Sequence, residues 1–154
     1  MYFEPQAIQF LVMALKIIDH GSPEYWQMVK LRNDILRKPL GLNFTEQELA
    51  NEKNNILICA FEDDDLLGCC MLVQEQSDTV KLRQMAVINN LQGKGIGRAL
   101  MNFAENLSRD QGYKTIIMHA RKNVVGFYEK MGYEVASEEF SEITIPHYVM
   151  VKKL

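Results

Sequence analysis

Residues 91–98 read Leu91-Gln92-Gly93-Lys94-Gly95-Ile96-Gly97-Arg98, and they lie between an extended apolar run and a long amphipathic run. A strand is therefore expected to end here and a helix to begin. Alternate glycines allow a tight turn in which no Cβ keeps a ligand away from the backbone N–H groups. The first helical turn leaves N–H groups unpaired at the positive end of the helix dipole. The stretch predicts a site for an anion such as phosphate, and a plain glycine-rich turn is the alternative.

The composition indicates one ordinary folded domain. A chain of 154 residues can bury roughly two-thirds of its unfolded surface, so we expect a single domain over residues 1–154. The net charge of −3 argues against general affinity for nucleic acid or anionic membranes. Cys59, Cys69 and Cys70 lie in apolar runs and match no metal-ligand spacing. They are interpreted as reduced core residues of a cytoplasmic protein, with no metal site.

Hydrophobic periodicity and capping residues give the order of elements. The predicted elements are a strand at 8–18, a helix from Pro23 to Pro39, a short helix at 46–52, strands at 56–62, 66–76 and 80–88, a helix from the glycine stretch to Gly112, a strand at 114–120, a short helix at 124–131, and strands at 133–137 and 147–152. N-caps are expected at Ser22, Thr45 and Asn123. Residues 138–146 are expected to be an acidic connection.

The short spacing of the three middle strands predicts an antiparallel meander. The strand at 80–88, the following helix and the strand at 114–120 form a strand–helix–strand unit, whose crossover is right-handed if the strands are parallel. The chain is thus predicted to be an α/β domain with a mixed sheet.

Two motifs resemble those of a known family. Residues 92–97 resemble the Gln/Arg-x-x-Gly-x-Gly/Ala signature of the GNAT superfamily of N-acetyltransferases, and residues 123–133 resemble its second signature. The resemblance covers nearly the whole chain. It implies a single-domain GNAT-like fold, with a mixed, mostly antiparallel sheet, a central splayed parallel strand pair and about four helices.

The resemblance also implies acetyl-CoA as the acyl donor. The backbone of Met85 to Val87 would pair with the pantetheine arm, and the N–H of Met85 would polarise the thioester carbonyl. The N–H groups of the glycine stretch would hold the pyrophosphate. The implied cofactor-binding residues are Met85, Ala86, Val87, Gln92, Gly93, Lys94, Gly95, Ile96, Gly97, Arg98, Asn123 and Tyr128. For the 3′-phosphate, Lys94, Arg98, Arg121 and Lys122 all remain open.

Tyr128 occupies the position from which a tyrosine of the family often protonates the departing thiolate. A free phenol has a pKa near 10 and is protonated at neutral pH, which suits this role. The alternative is an ordinary half-buried aromatic residue. We expect the neighbouring Phe127 to take the core position and Tyr128 to be catalytic.

The general base is less clear from the sequence. Some members of the family carry a glutamate at the position of Lys81, which cannot act as a carboxylate base. The candidates are instead His147, Glu142 and Glu139 in the C-terminal segment, and histidine titrates near neutrality. A structural role for His147 is the equal alternative. His119, on a predicted core strand, is expected to be structural.

The predicted function is an acetyl-CoA-dependent N-acetyltransferase in which a primary amine attacks the thioester directly in a ternary complex. No well-placed catalytic cysteine is evident, which disfavours a covalent acetyl-enzyme. The acceptor, a small-molecule or peptide amine, would face the N-terminal helices, including Arg32, Arg37 and the loop at 40–44. The alternative is a catalytically weak acyl-CoA-binding module of the same fold, while the glycine spacing fits neither a P-loop nor a Rossmann domain. The acceptor, the acyl chain length and the oligomeric state stay open, and an exposed sheet edge allows a homodimer.

Overall fold

The computed structural model describes residues 12–154, so the part of the first predicted strand at 8–11 lies outside the described residues. The strands are β1 (Ala14–Ile18), β2 (Ile56–Glu62), β3 (Asp65–Gln74), β4 (Thr79–Val87), β5 (Thr115–Arg121), β6 (Glu134–Val135), β7 (Phe140–Glu142) and β8 (Ile145–Lys153). The α-helices are α1 (Pro23–Arg32), α2 (Glu46–Ala50), α3 (Ile96–Asp110) and α4 (Val125–Glu129). Each predicted helix and strand has a counterpart among the described residues, and β7 is an additional strand that was not predicted.

The strands form one mixed sheet in the order β1-β2-β3-β4-β5-β8-β6, and β7 pairs with β8. Only β4 and β5 run parallel among these pairs. Apolar residues of α3 and α4 pack on one face of the sheet, and those of α1 pack on the other. The predicted α/β fold with a central parallel pair is confirmed, because the crossover through α3 brings β5 alongside β4.

A buried ion pair joins α1 to the segment that follows α2. The Arg32 guanidinium donates two hydrogen bonds to the Glu52 carboxylate, and the Tyr25 hydroxyl donates a third at 2.7 Å. Arg32 also lies over the Phe44 ring, with 4.4 Å from guanidinium carbon to ring centroid. Both charges are removed from water, so each requires the other. Arg32 is therefore a buried structural residue, although it was expected on the acceptor side of the site.

The first helix departs from the prediction at its C-terminal end. Its start is confirmed, because the Ser22 hydroxyl accepts a hydrogen bond from the Tyr25 N–H and Pro23 occupies the first position. The regular α-helix ends at Arg32, however, and continues as a π-helical turn (Asn33–Arg37) and a 3₁₀ turn. Pro39 lies in that 3₁₀ turn and has no N–H for an α-helical bond, so the regular helix cannot extend through it.

Two predictions near the C-terminus are wrong. Asn123 does not cap α4, because it lies within a 3₁₀ turn (Lys122–Val124) that leads directly from β5 into the helix. The acidic connection is not a loop, since its middle part forms β7 and turns back into β8 through Ile143 and Thr144. Both turn residues have positive φ, 46° and 64°. Such turns usually contain Gly, Asn or Asp, so β-branched residues gave no signal of this hairpin.

Candidate active site

A β-bulge interrupts β4 halfway along the strand. Strands β3 and β4 pair regularly up to Arg83 and again at Ala86, so Gln84 and Met85 together oppose the single residue Cys70. Gln84 adopts the left-handed conformation, with φ of 57°. A bulge of this kind bends its strand and increases the local twist. It therefore turns the second half of β4 away from its neighbour on the other side, β5.

The parallel pairing of β4 with β5 ends where the bulge begins. Leu82 and Met118 are the last paired residues, whereas β5 continues to pair with β8 as far as Arg121. Met85 to Val87 therefore have no pairing with β5 in the described part of the chain. The result is an opening between the two parallel strands, with the edge of β4 on one side and the end of β5 on the other.

The glycine stretch lies directly beyond this opening. Gly93 and Gly95 have φ values of 80° and 89°, and no atom lies within 4 Å of where a Cβ would stand on either residue. Gly95 is the N-cap of α3, whose first turn contains no acidic residue. The Gln92 side-chain amide donates to the Val87 carbonyl at 3.2 Å and so ties the turn to the end of β4. The predicted anion site is thus an exposed helix start joined to the open strand edge.

The residues after β5 close the helical side of the site. The Phe127 ring lies 3.2 Å from where a Cβ of Gly97 would stand, so this glycine lets α3 and α4 approach closely. Phe127 is 36% exposed, whereas Tyr128 is only 5% exposed. The prediction that Phe127 would take the core position is therefore wrong. The short helix α4 is oriented on the sheet so that Tyr128 faces the core and Phe127 faces the surface.

The Tyr128 side chain packs in the core against Tyr133, with ring centroids 5.7 Å apart. Burial raises the pKa of the Tyr128 hydroxyl above its ordinary value, and the buried Cys70 thiol adds to this effect. No hydrogen bond joins this hydroxyl to another group of residues 12–154. Tyr128 is therefore a protonated phenol at neutral pH and a weaker acid than a free phenol.

A cluster of two histidines and one carboxylate lies where β5, β7 and β8 meet. Glu142 Oε1 lies 2.9 Å from His119 Nδ1, and Glu142 Oε2 lies 3.6 Å from His147 Nε2. The Phe140 ring packs against both imidazoles. Burial alone would raise the pKa of Glu142, but the hydrogen bond with His119 and the nearby charges hold the pKa below its usual value. Glu142 is therefore an ionised carboxylate shared by two imidazoles.

The sequence predicts a structural role for His119, whereas the structure places it in this cluster. The alternation of buried and exposed residues along β5 is the sequence signal for this position. Met118 and Ala120 belong to the core under α3 and α4, so His119 between them must face the other side of the sheet. That side is covered by α1 only over part of the sheet, which leaves the His119 side chain 29% exposed.

The structure separates the four cations that were candidates for the 3′-phosphate. Arg121 donates to the Leu36 carbonyl at 2.9 Å, so its guanidinium lies toward the end of α1. Lys122 pairs with Glu139 at 2.7 Å. Lys94 and Arg98 are exposed in and just after the glycine turn. Asn123 is also exposed, at the end of β5.

Together these features describe an acyltransferase-type domain: a splayed parallel pair, a bulged strand and a glycine turn into a helix. A family profile described as "Acetyltransferase (GNAT) domain" matches residues 39–154. The chain belongs to the GNAT acetyltransferase family, as the two sequence motifs predicted. Between residues 12 and 154, no helix is both long enough and apolar enough to cross a membrane.

Two curated proteins of Bacillus subtilis are similar in sequence, and the name of the first agrees with this assignment. The Bacillus subtilis "Uncharacterized N-acetyltransferase YjcF" is 37% identical over 106 residues, which is 68% of this chain and 74% of that protein. The B. subtilis "Uncharacterized protein YyaT" is 30% identical over 76 residues, 49% of this chain, and the match spans about half of that protein, 51%.

Solved structures share the fold. An acyl-CoA N-acyltransferase from Pseudomonas aeruginosa has a TM-score of 0.78 at 19% identity, and the match covers 92% of this chain and 99% of that one. A GNAT family acetyltransferase from Elizabethkingia anophelis with acetyl-CoA bound has a TM-score of 0.72 at 17% identity, with 92% and 98% covered.

Proposed function

We propose that this protein is an acetyl-CoA-dependent N-acetyltransferase that transfers an acetyl group to a primary amine by direct attack in a ternary complex. One observation carries the proposal: the open edge of β4 at Met85 leads, through one 3₁₀ turn (Asn89–Leu91), into the exposed glycine turn at the start of α3. A strand edge and a helix start in this order suit a thioester arm that ends in a pyrophosphate. Family membership and the acetyl-CoA-bound neighbour support the same donor.

In this proposal each part of the donor has a protein counterpart. Met85 to Val87 pair with the pantetheine arm as an added strand would, and the Met85 N–H donates to the thioester oxygen. The N–H groups from Gln92 to Gly97 hold the pyrophosphate. Lys94 and Arg98 bind the 3′-phosphate, because Arg121 and Lys122 are engaged elsewhere. Asn123 approaches the arm from the side of β5.

Tyr128 supplies the proton for the leaving thiolate. Its burial keeps the phenol protonated at any pH at which the enzyme is assayed, so the proton is available when the carbon–sulfur bond breaks. Glu142 and His147 belong to the cluster where β5, β7 and β8 meet, and this cluster receives the proton of the amine. The acceptor is a small-molecule or peptide amine that enters between this cluster and the N-terminal helices. A cytoplasmic location and a homodimer remain predictions.

A binding module of the same fold is the second candidate. Lys81 favours it, since this residue replaces a glutamate base on β4 and its ammonium group lies 3.9 Å from Glu75. A module of this kind would hold acyl-CoA without transferring the acyl group.

One experiment separates the two functions. The protein is incubated with acetyl-CoA and a panel of alkyl, aryl and peptide α-amines, while CoA thiol release and the ligand-induced shift in melting temperature are followed. Thiol release that requires an amine supports the transferase, binding without release supports the module, and neither response refutes both.

A matched control tests the phosphate assignment. Lys94→Ala and Arg98→Ala should raise KM for acetyl-CoA but leave KM for 3′-dephospho-acetyl-CoA unchanged. An equal effect on the two donors would contradict the assignment.

A further inference from the structure

We propose that His119 Nε2 is the atom that accepts the proton of the acceptor amine, with Glu142 fixing the orientation of His119 and His147 packed behind Glu142. This inference rests on the proposed acetyl transfer and identifies its general base. The proposed base lies on β5, in a chain that has Lys81 on β4 where some members of the family carry a glutamate.

The backbone places His119 at the start of the opening that the thioester would occupy in the proposed function. The last parallel pair is Leu82 with Met118, so His119 is the first residue of β5 inside the opening. Lys81 occupies the β4 position at which some members of the family carry their base, and it pairs with Ile117. Because side chains alternate along a strand, His119 lies on the same face as Ile117, one step nearer the opening.

The hydrogen bond with Glu142 determines which nitrogen of His119 can act. The Glu142 carboxylate is ionised and can only accept, so His119 Nδ1 must carry the proton of the 2.9 Å hydrogen bond. In neutral His119 the lone pair then belongs to Nε2. No hydrogen bond occupies that nitrogen in the described chain. A carboxylate that orients a histidine in this way also stabilises the imidazolium that forms when the base accepts a proton.

His147 is suited to positioning rather than to contact with substrate. Its side chain is only 4% exposed. Its Nδ1 lies 2.8 Å from the Ile145 carbonyl, which can only accept, so this nitrogen also carries a proton. Nε2 faces the second oxygen of Glu142 across 3.6 Å, and the Phe140 ring stacks on the imidazole. His147 thus packs behind Glu142 inside the sheet, whereas His119 reaches the surface.

The charged groups around His119 come from four strands and the turn after β5. Glu142 on β7 contacts it directly and His147 on β8 lies behind Glu142, while Lys81 on β4 acts on the same carboxylate. On its own strand Arg121 lies toward α1, and the following Lys122 is paired with Glu139. Glu142 is the carboxylate in contact with His119, so the negative charge nearest the imidazole is that of Glu142.

His119 Nε2 takes one proton from the alkylammonium group, and the freed lone pair forms the carbon–nitrogen bond to the thioester carbonyl carbon. The carbon–sulfur bond breaks with its electron pair on sulfur, and Tyr128 protonates the thiolate. The extra proton on the new amide nitrogen restores the phenol, and His119 returns its proton to solvent.

The test uses two amines that differ in their need for a base. An alkylamine with a pKa of about 10.4 is only about 0.04% neutral at pH 7, whereas an arylamine is already neutral. His119→Gln should lower kcat/KM for the alkylamine roughly 10²- to 10³-fold and leave that for the arylamine within about twofold. Glu142→Gln, which keeps an acceptor but removes the charge, should give a smaller loss of the same selective kind. His20→Gln is the matched control. His20 lies in a turn before α1, and its Nε2 is 2.8 Å from the Leu49 carbonyl.

A second readout needs no substrate. Nitrogen-15 chemical shifts of the His119 ring should report a protonated Nδ1 and an unprotonated Nε2 in the neutral form. An equal loss of kcat/KM for both amines in His119→Gln, or the opposite tautomer of His119, would overturn the proposal. Acetyl transfer by the wild-type protein would in that case still support the proposed function. Acetyl-CoA binding with no transfer to any amine by the wild type would instead refute the proposed function.

Discussion

Replacing Tyr128 with phenylalanine separates catalysis from stability. The substitution removes one hydroxyl and leaves the ring, whose contacts with Phe127 and Tyr133 are retained. If the hydroxyl protonates the leaving thiolate, kcat should fall by about 10²-fold or more, equivalent to about 2.7 kcal/mol of transition-state stabilisation. The KM for acetyl-CoA should change little, because pantetheine and phosphates are held by backbone groups and cations elsewhere.

The same substitution should not destabilise the fold. The Tyr128 hydroxyl makes no hydrogen bond within residues 12–154. It is also absent from the buried polar atoms without a partner in this part of the chain, which means that it still meets solvent. Its removal therefore breaks no hydrogen bond and relieves no large desolvation cost, and the melting temperature of Tyr128→Phe should be unchanged.

Tyr133→Phe provides the matched control. Tyr133 is the aromatic neighbour of Tyr128 and is equally buried, but its hydroxyl donates to Glu105 Oε1 at 3.3 Å. Glu105 keeps its ion pair with Lys152 at 2.7 Å in the variant. The loss of one hydrogen bond to a charged group should lower the free energy of unfolding by about 1.5 kcal/mol and the melting temperature by about 3–6 °C.

The assays are thiol release for kcat and differential scanning calorimetry for stability. The two variants should behave oppositely, with activity lost in Tyr128→Phe and stability lost in Tyr133→Phe. Because burial raises the pKa of Tyr128, this residue should cause no fall in kcat on the alkaline side up to about pH 9.5. Wild-type kcat in Tyr128→Phe would refute the reasoning, and so would a loss of activity that simply followed the melting temperature.

Substitutions at three further positions test the structure around the site. Glu52→Gln leaves the Arg32 guanidinium buried without a counter-charge, so calorimetry should show a loss of about 3–5 kcal/mol, and a loss below about 1 kcal/mol would contradict the buried pair. Gln84→Gly should stabilise by up to about 1 kcal/mol because it relieves the positive φ, whereas Gln84→Val should cost about 1–3 kcal/mol and weaken acetyl-CoA binding. Equal behaviour of these two variants in denaturant titrations and thermal shifts would argue against the bulge. Gly68→Ala places a Cβ 3.1 Å from the Ala86 carbonyl oxygen, so it should lower the free energy of unfolding by about 1–3 kcal/mol and raise KM for acetyl-CoA. An unaltered KM would show that β3 and β4 accommodate the methyl group without changing the acetyl-CoA site.

Much of the fold could be predicted from the sequence because its signals are local. The Thr45–Glu48 capping box, the glycine C-cap at Gly112 and the turn into α3 each depend on a few consecutive residues, and all three are present. The two family motifs are local in the same way, and the family they indicate is confirmed. Short-range backbone geometry thus determined the order of the elements, the glycine turn and the class of protein.

Only the tertiary structure decided the arrangement of the groups proposed for the chemistry. Gln84 carries no sequence signal for a left-handed bulge, yet the register of β3 against β4 requires one. His119 and Glu142 are 23 residues apart, and they meet because β7 folds back on β8 while β8 pairs with β5. Contacts of this kind depend on strand register, which the pairing of whole strands determines. The glycine stretch therefore indicated the donor from sequence alone, whereas the residue proposed to receive the proton became apparent only in the assembled sheet.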